Sequence, residues 1–400
     1  MVAWTLGMIG VGVVMGCFTG MTPGIHTNLL ASSLLVAWEK VGTGSISPLE
    51  MGVLIFSMAL THTFVSFIPS TFLGVPDTDT VLSLYPSHQY MREGRGHEAI
   101  LLTVMGSLYS LLLTVLTIPL WMLVIKVVYP FIKAHMSLIL ILIAGVVMAR
   151  EKERFFAGYA FLAAGILGVY TLNLSAIENP LMPLLTGLFG MPPLMSSLFG
   201  KSQQVQQRIS FPKIERKRGI KAIMTAVVTG SFFSFLPSVG PSQAAVFSSL
   251  AIKERSREVF LMVVGSLNTV NMMASIITLY MIQKARNGAV VAIAAIIPEV
   301  EKMTIILLIA VALVTSFPAT MMTIVLSKKC AVIITRVKYK QISAAMIVLL
   351  VVMSMIISGP LSSIVLVTAT AIGFIPILKE VSRNMLMGSL MVPTIMWYMA

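Results

Sequence analysis

Charge is what this chain has least of. Only 11% of its 400 residues are charged, where a soluble domain carries about 25%. That shortage excludes a soluble enzyme, a disordered chain and a nucleic-acid-binding domain. Acidic side chains are scarcer still, 15 Asp and Glu against 28 Lys and Arg, for a formal net charge of +13. Cysteine is nearly absent. Cys17 and Cys330 stand alone near apolar stretches, which excludes a disulfide framework and zinc-type ligand spacing. There is no P-loop and no GxGxxG after a strand, so an ATP-driven pump is disfavoured. Ser, His and Asp occur, but no spacing points to a triad, and the chain is not read as an enzyme. The first residues, MVAWTLGMIGVGVVMG, lack a basic n-region, and no cleaved leader is expected.

What the chain has in excess is apolar length. It is 57% hydrophobic, and stretches long enough to cross about 30 Å of hydrocarbon recur throughout. This reads as an all-α, multi-pass protein of the cell membrane, with the bilayer as its first partner. The basic excess then belongs to cytoplasmic loops. Residues 2–38 are apolar but broken at Thr22-Pro23-Gly24. Further runs are 50–72, 98–129, 134–149, 154–171 and 180–199. A basic stretch follows, with Lys201, Arg208, Lys213, Arg216, Lys217, Arg218 and Lys221 against Glu215. It is the natural linker between two halves. Residues 221–251 are again apolar but broken around Pro237 to Pro241, and runs follow at 258–282, 303–327, 341–358, 361–377 and 384–399.

The broken element opening each half is the informative one. Residues 221–251 are too few for two crossings of about 20 residues each. Both flanks are basic, and a re-entrant hairpin keeps both on one side. With the linker in the cytoplasm, the loops at 76–98, 150–154, 328–340 and 379–383 also fall inside, and those at 38–50 and 283–302 fall outside. Each half then holds one hairpin and five crossings. Five is odd, so the second half enters from the opposite side, an inverted-topology repeat of residues 1–199 and 221–400 about the linker 200–220. A pseudo-two-fold axis in the membrane plane is expected. Sliding the chain by 214 residues sets Gly16 on Gly230, Pro23 on Pro237 and Ala31 on Ala245.

The two breaks carry the sharpest chemistry. TPGIHTN places Thr22, Pro23, Gly24, His26, Thr27 and Asn28 at one tip. PSVGPSQ places Pro237, Ser238, Gly240, Pro241, Ser242 and Gln243 at the other. Each restarted half-helix, near 26–38 and 241–251, turns its positive N-terminal end to the tip. Such a pair suits an oxyanion such as a carboxylate or phosphate. The competing reading is packing, because Pro/Gly kinks and hydroxyls are common in membrane helices. Thr61, His62 and Thr63, with Asn268, Thr269 and Asn271, lie inside the spans that follow the hairpins. They are candidate substrate contacts, or else interhelical hydrogen bonds. His62 is also a candidate proton carrier. Asp77 and Asp79 of GVPDTDT are candidates for coupling to Na⁺ or H⁺, against a solvated turn. No metal site and no other cofactor is expected.

At these motifs the chain resembles the large membrane subunit of tripartite tricarboxylate transporters (TctA). GCFTGMTPGIHTNLLASSLL resembles the GxxxGxxPGxGP segment near that family's start. FLPSVGPSQAAVFS resembles its second PGxGPxxA motif, and NPLMPLLTGLFGMPPLMSSL its xxPxxIGLFAxxE segment. In PSTFLGVPDTDTVLSLYPSHQYMREGRGHEA, Pro76-Asp77 stands for a Pro-Gly-Glu element. Tyr85-Pro86, Gly94 and Gly96 stand for the turn after it. His26 and Thr27 replace Gly-Pro, and Ser238 replaces Gly. The chain is short, as in the compact archaeal branch. The resemblance implies a permease that works with a small membrane subunit and an extracytoplasmic binding protein, neither of which is in this chain. A looser likeness is to families that recycle polyprenyl-phosphate carriers, which also pair PGxSG-type hairpins. The expectation is a secondary transporter for a small organic anion, the alternative a lipid-phosphate flippase. A homo-oligomer is left open.

Overall fold

The computed structural model describes residues 2–22, 27–41, 46–74, 84–199, 205–236, 241–252, 256–285, 287–297, 299–334 and 339–399. These residues are helical or in short connections, with no strand among them. Six helices are long and apolar enough to cross a membrane, and several shorter apolar ones accompany them. The molecule is a multi-pass membrane protein.

The first half runs through α1 (Val2–Met21), α2 (Thr27–Val41), α3 (Pro48–Val65), α4 (Phe67–Phe72) and α5 (Leu84–Arg92). It continues with α6 (Gly96–Ala134), α7 (Met136–Ala149), α8 (Arg154–Leu172), α9 (Leu181–Leu185) and α10 (Met191–Phe199). A π turn, Thr186–Gly190, separates the last two. The second half runs through α11 (Arg216–Phe233), α12 (Pro241–Ile252), α13 (Arg257–Ile282), α14 (Gly288–Ile296) and α15 (Lys302–Ile334). It ends with α16 (Tyr339–Ser358), α17 (Ser362–Leu378), a 3₁₀ turn (Arg383–Met387) and α18 (Gly388–Met399).

Each apolar run counted in the sequence is a helix, because a backbone in hydrocarbon must satisfy its own N–H and C=O groups. Starts are set by local chemistry. Ser47 and Glu50 form a capping box over α3, with Pro48 in its first turn. Ser256 caps α13, and Asn287 caps α14 through a 2.8 Å bond from the Val290 N–H. Two elements were not expected. The 76–98 segment, read as a loop, holds α5. The 283–302 segment, also read as a loop, holds the nine-residue α14, about 14 Å long and too short to cross.

The centre is occupied by α3–α4 and α13, the most deeply buried of the long spans. Glycines let neighbours approach them backbone to backbone. Gly12, Gly16 and Gly20 of α1 lie in turn against Leu54/Ser57, Met58/Thr61 and Val65/Ser66 of α3, so the two helices run in the same direction. In the other half Gly219 faces Met262 and Gly230 faces Leu267 and Val270, so α11 and α13 also run the same way. Gly106 and Gly265 bring α6 and α13 together. There Ser107 donates to the Gly265 carbonyl at 2.9 Å, and Ser266 to that of Gly106 at 3.0 Å.

The packing falls into two groups. One contains α1–α6 and α11–α15. The other contains α7–α10, α16–α18 and the 3₁₀ turn. Both draw on both halves of the chain. In the second group Gly168 of α8 meets the Ser389 backbone, and Gly388 meets that of Phe161. Gly373 of α17 likewise meets the backbone of Leu188, and Gly187 that of Leu366.

Candidate functional site

The broken elements form as the Pro/Gly punctuation dictates. Helix α1 ends at Met21, with Thr22 bonded back to Phe18, and α2 restarts at Thr27. Helix α11 ends at Phe233, and α12 restarts at Pro241. Pro23, Gly24 and His26, with Pro237, Ser238 and Gly240, lie outside the described residues, as do Asp77 and Asp79. Ser242 and Gln243 are helical in backbone. Thr27 and Pro241 are buried, and Asn28 is half-buried with its carbonyl accepting from Ser32.

The feet of the second broken element stand together. The Lys221 ammonium donates to the Ile252 carbonyl at 3.1 Å, Thr229 and Ser248 share a hydroxyl bond, and Phe233 packs on Phe247. Helices α11 and α12 therefore lie side by side, with the start of one beside the end of the other.

One helical turn before the first tip lies the polar cluster expected from 61–63 and 268–271. His62 Nδ1 is 3.1 Å from Thr19 Oγ1, both buried. Thr63 Oγ1 donates to the Leu60 carbonyl and lies 3.3 Å from Thr269 Oγ1. Asn268 donates from Nδ2 to the Thr63 carbonyl at 3.3 Å. Thr63, Asn268 and Thr269 therefore join α3 to α13 across the two halves. Thr61 is different: its hydroxyl bonds back to Ser57 and its Cβ sits under Gly16, which is a packing role. Asn271 is half-buried, and its carbonyl accepts from Ser275.

Two features escaped the sequence. The first is α14, whose N-terminus packs on the start of α2. Gly288 abuts the Asn28 side chain, and the Asn287 amide reaches Met272 Sδ at 3.3 Å. The start of α14 and the start of α2 therefore converge beside the first tip. Only the N-cap Asn and the apolar nine-residue run mark it in the sequence.

The second is a polar junction at the start of α6 and α13. Arg95 Nε bonds Glu98 at 2.9 Å, Arg257 bonds Glu93 at 2.7 Å, and Tyr90 donates to Glu258. Both guanidinium groups stack on the Tyr90 ring, at 4.7 and 5.2 Å from its centroid. Burial raises the Tyr90 phenol above its ordinary range, and the Glu258 bond adds to this. The Glu98 bond raises Arg95, and burial lowers His88. The extended segment 205–215 docks on the same junction. Arg208 N donates to the Gly94 carbonyl at 2.7 Å, Gln207 Oε1 accepts from Gly96 N, and Ser210 donates to Glu98 at 3.0 Å. Gly94 sits at φ +76°, and a side chain there would meet the Gln206 carbonyl.

Two of the buried hydroxyls without a partner lie near the ends of α1 and α11. Ser66 Oγ, beside Gly20, and Ser231 Oγ, on the last turn of α11, make no hydrogen bond among the described residues. Among the described residues there is no group of three or more His, Cys, Asp or Glu able to hold a metal ion.

The chain is 30% identical to an uncharacterized protein of Methanocaldococcus jannaschii over 97% of both chains. No solved structure matches it. Residues 6–388 match the model of the Tripartite tricarboxylate transporter TctA family, and with two broken helices in a multi-pass α bundle the chain belongs to that family.

Proposed function

We propose that the protein is a secondary active permease that moves a small organic anion, a carboxylate, across the cell membrane down a Na⁺ or H⁺ gradient. The observation that carries the reading is the pair of helices broken at corresponding places, each restarting as a half-helix with its N-terminus at the tip. Unpaired N–H groups and the helix dipole at such an end favour an anion without a buried positive side chain. The N-terminus of α14, capped by Asn287, packs beside the start of α2.

Several observations support reading the two breaks as re-entrant hairpins in inverted repeats of 1–199 and 221–400. Helix α1 runs parallel to α3, and α11 parallel to α13, as hairpins returning to their own side require. Helix α12 has 12 residues, about 18 Å, against about 30 Å of hydrocarbon. The packings also pair off when the halves are exchanged: α1 on α3 with α11 on α13, α6 on α13 with α15 on α3, and α8 on α18 with α17 on the π turn. The family name speaks of a tripartite system, which fits a small membrane subunit and an extracytoplasmic binding protein as partners. The lone histidine at the cluster, His62, and the aspartates Asp77 and Asp79 are the coupling candidates. A cytoplasmic linker is part of the same reading.

The test is uptake of labelled citrate, succinate and related carboxylates into proteoliposomes under imposed Na⁺ or pH gradients. Gly24→Leu and Gly240→Leu fill the two tips and are expected to abolish uptake in folded protein. Wild-type uptake by both variants would sink the paired-tip site.

A further inference from the structure

We infer that the protein works as two bodies, each built from both halves of the chain, and that the body bearing the hairpins slides as a unit against the other. This rests on the transport reading above and specifies which parts move. A simpler expectation for an inverted repeat is one half rocking against the other. The contacts argue against it.

Within the hairpin body the halves are fastened together. The α6–α13 crossing is backbone-close at Gly106 and Gly265, with hydroxyl bonds from Ser107 and Ser266 in both directions. Thr63, Asn268 and Thr269 fasten α3 to α13. The ion pair between Glu93 and Arg257 and the bond between Tyr90 and Glu258 fasten the first half to the start of α13. Rocking half against half would break all of these together.

The second body is fastened across the halves in the same way. Asn179 Nδ2 donates to the Ile357 carbonyl at 3.2 Å, and Ser358 donates to the Asn179 carbonyl at 2.9 Å. Glu151 accepts from the Ser382 N–H at 3.1 Å. The glycine contacts of α8 with α18 and of α17 with the π turn complete it.

Between described residues of the two bodies, no side-chain hydrogen bond or ion pair runs across. Extended packing between them occurs only where α6 turns into α7 at His135. Tyr129, Ile132, Met136 and Leu140, on either side of that turn, are buried members of one apolar core. Elsewhere Leu73, at the end of α4, rests on the cluster of Met191, Leu194, Met346 and Leu350. Among the described residues this interface is apolar and carries no side-chain bond, the kind that permits shear. The joint is prepared by Pro119 and Pro130 inside α6, since proline removes a rung of the helix and allows a bend.

The test begins from a Cys17→Ala/Cys330→Ala background. Glu93→Cys with Arg257→Cys joins the halves inside the hairpin body. Leu73→Cys with Leu194→Cys joins the two bodies. After cross-linking in proteoliposomes, the first pair is expected to keep citrate uptake and the second to lose it until the link is cleaved. The opposite pattern overturns the inference.

A readout independent of transport uses spin labels in lipid, with and without citrate. The 93/257 distance is expected to be single and constant. The distance between labels at Phe155, in the second body, and Arg218, in the first, is expected to be bimodal or to shift. One narrow 155/218 distance in every condition overturns the two-body motion. Absence of carboxylate uptake with a bimodal 155/218 distance overturns the substrate reading alone.

Discussion

Replacing Gly265 or Gly106 by alanine tests how the central crossing is held. A methyl group on Gly265 would stand 2.7 Å from Thr103 Cα, and one on Gly106 2.9 Å from the Met262 carbonyl carbon. Ordinary carbon contacts are about 3.5–4 Å, so α6 and α13 must part by about 1 Å. Overpacking of this kind costs about 1–3 kcal/mol. Parting the helices also stretches the bonds from Ser107 and Ser266, at about 0.6 kcal/mol each between membrane helices. Alanine returns up to about 1 kcal/mol in helix propensity. The net expectation is a loss of about 1–3 kcal/mol for either variant, and more for the pair. Gly145 and Gly158 are the internal controls, because a methyl group at either meets nothing within 4 Å. Alanine there should be neutral or stabilising by up to about 1 kcal/mol. The assay is reversible unfolding in mixed micelles titrated with SDS. Equal stability of Gly265→Ala and Gly158→Ala would refute the close-crossing argument.

Two further expectations follow from the polar groups. Because Tyr90 is raised in the folded protein, its contribution is full below the ordinary phenol value of about 10 and is lost as pH rises above it. Wild type should therefore lose stability more steeply than Tyr90→Phe in an alkaline unfolding series, and parallel curves would contradict this. Asp77→Asn should change the ion dependence of uptake if that carboxylate couples transport to a cation; unchanged Na⁺ and pH dependence would remove it from the coupling candidates.

The apolar runs predicted nearly every long helix within a few residues, because the rule behind them is simple. A membrane span must satisfy its own backbone, so apolar length is helix length. That rule fails for α14, which at nine residues is too short to register as a span. It fails for α5, whose sequence LYPSHQYMR is too polar. The pairing of Thr63 with Asn268 and Thr269 was foreshadowed, since polar groups inside spans must find partners. Their role as an inter-half fastening was not, because residues 206 apart carry no local signal of contact. The same holds for Tyr90 and Glu258, 168 apart. Arg257 joins that junction in the same way, through its bond with Glu93, 164 residues away. Glycine spacing on α1 read as a family motif, and its physical content is the flat face laid on α3.

Helix lengths decide how far the second tip reaches. Lys221 and Ile252 stand at one level because the Lys221 ammonium bonds the Ile252 carbonyl. From that level α12 spans 12 residues, or about 18 Å at 1.5 Å per residue. The hydrocarbon is about 30 Å thick, so in the re-entrant reading proposed above, with Lys221 at the cytoplasmic interface, the hairpin ends about 12 Å short of the far side. That reading has the tip meet water only through the proposed substrate path. Two consequences can be measured on Ser238→Cys in the Cys17→Ala/Cys330→Ala background. A small membrane-impermeant maleimide should react far more slowly there than at an exposed control such as Lys213→Cys. A bound carboxylate should slow the reaction further, because it occupies the space the reagent needs. Reaction at the control rate, indifferent to carboxylate, would mean that the tip projects into bulk water and that the hairpin crosses the membrane fully.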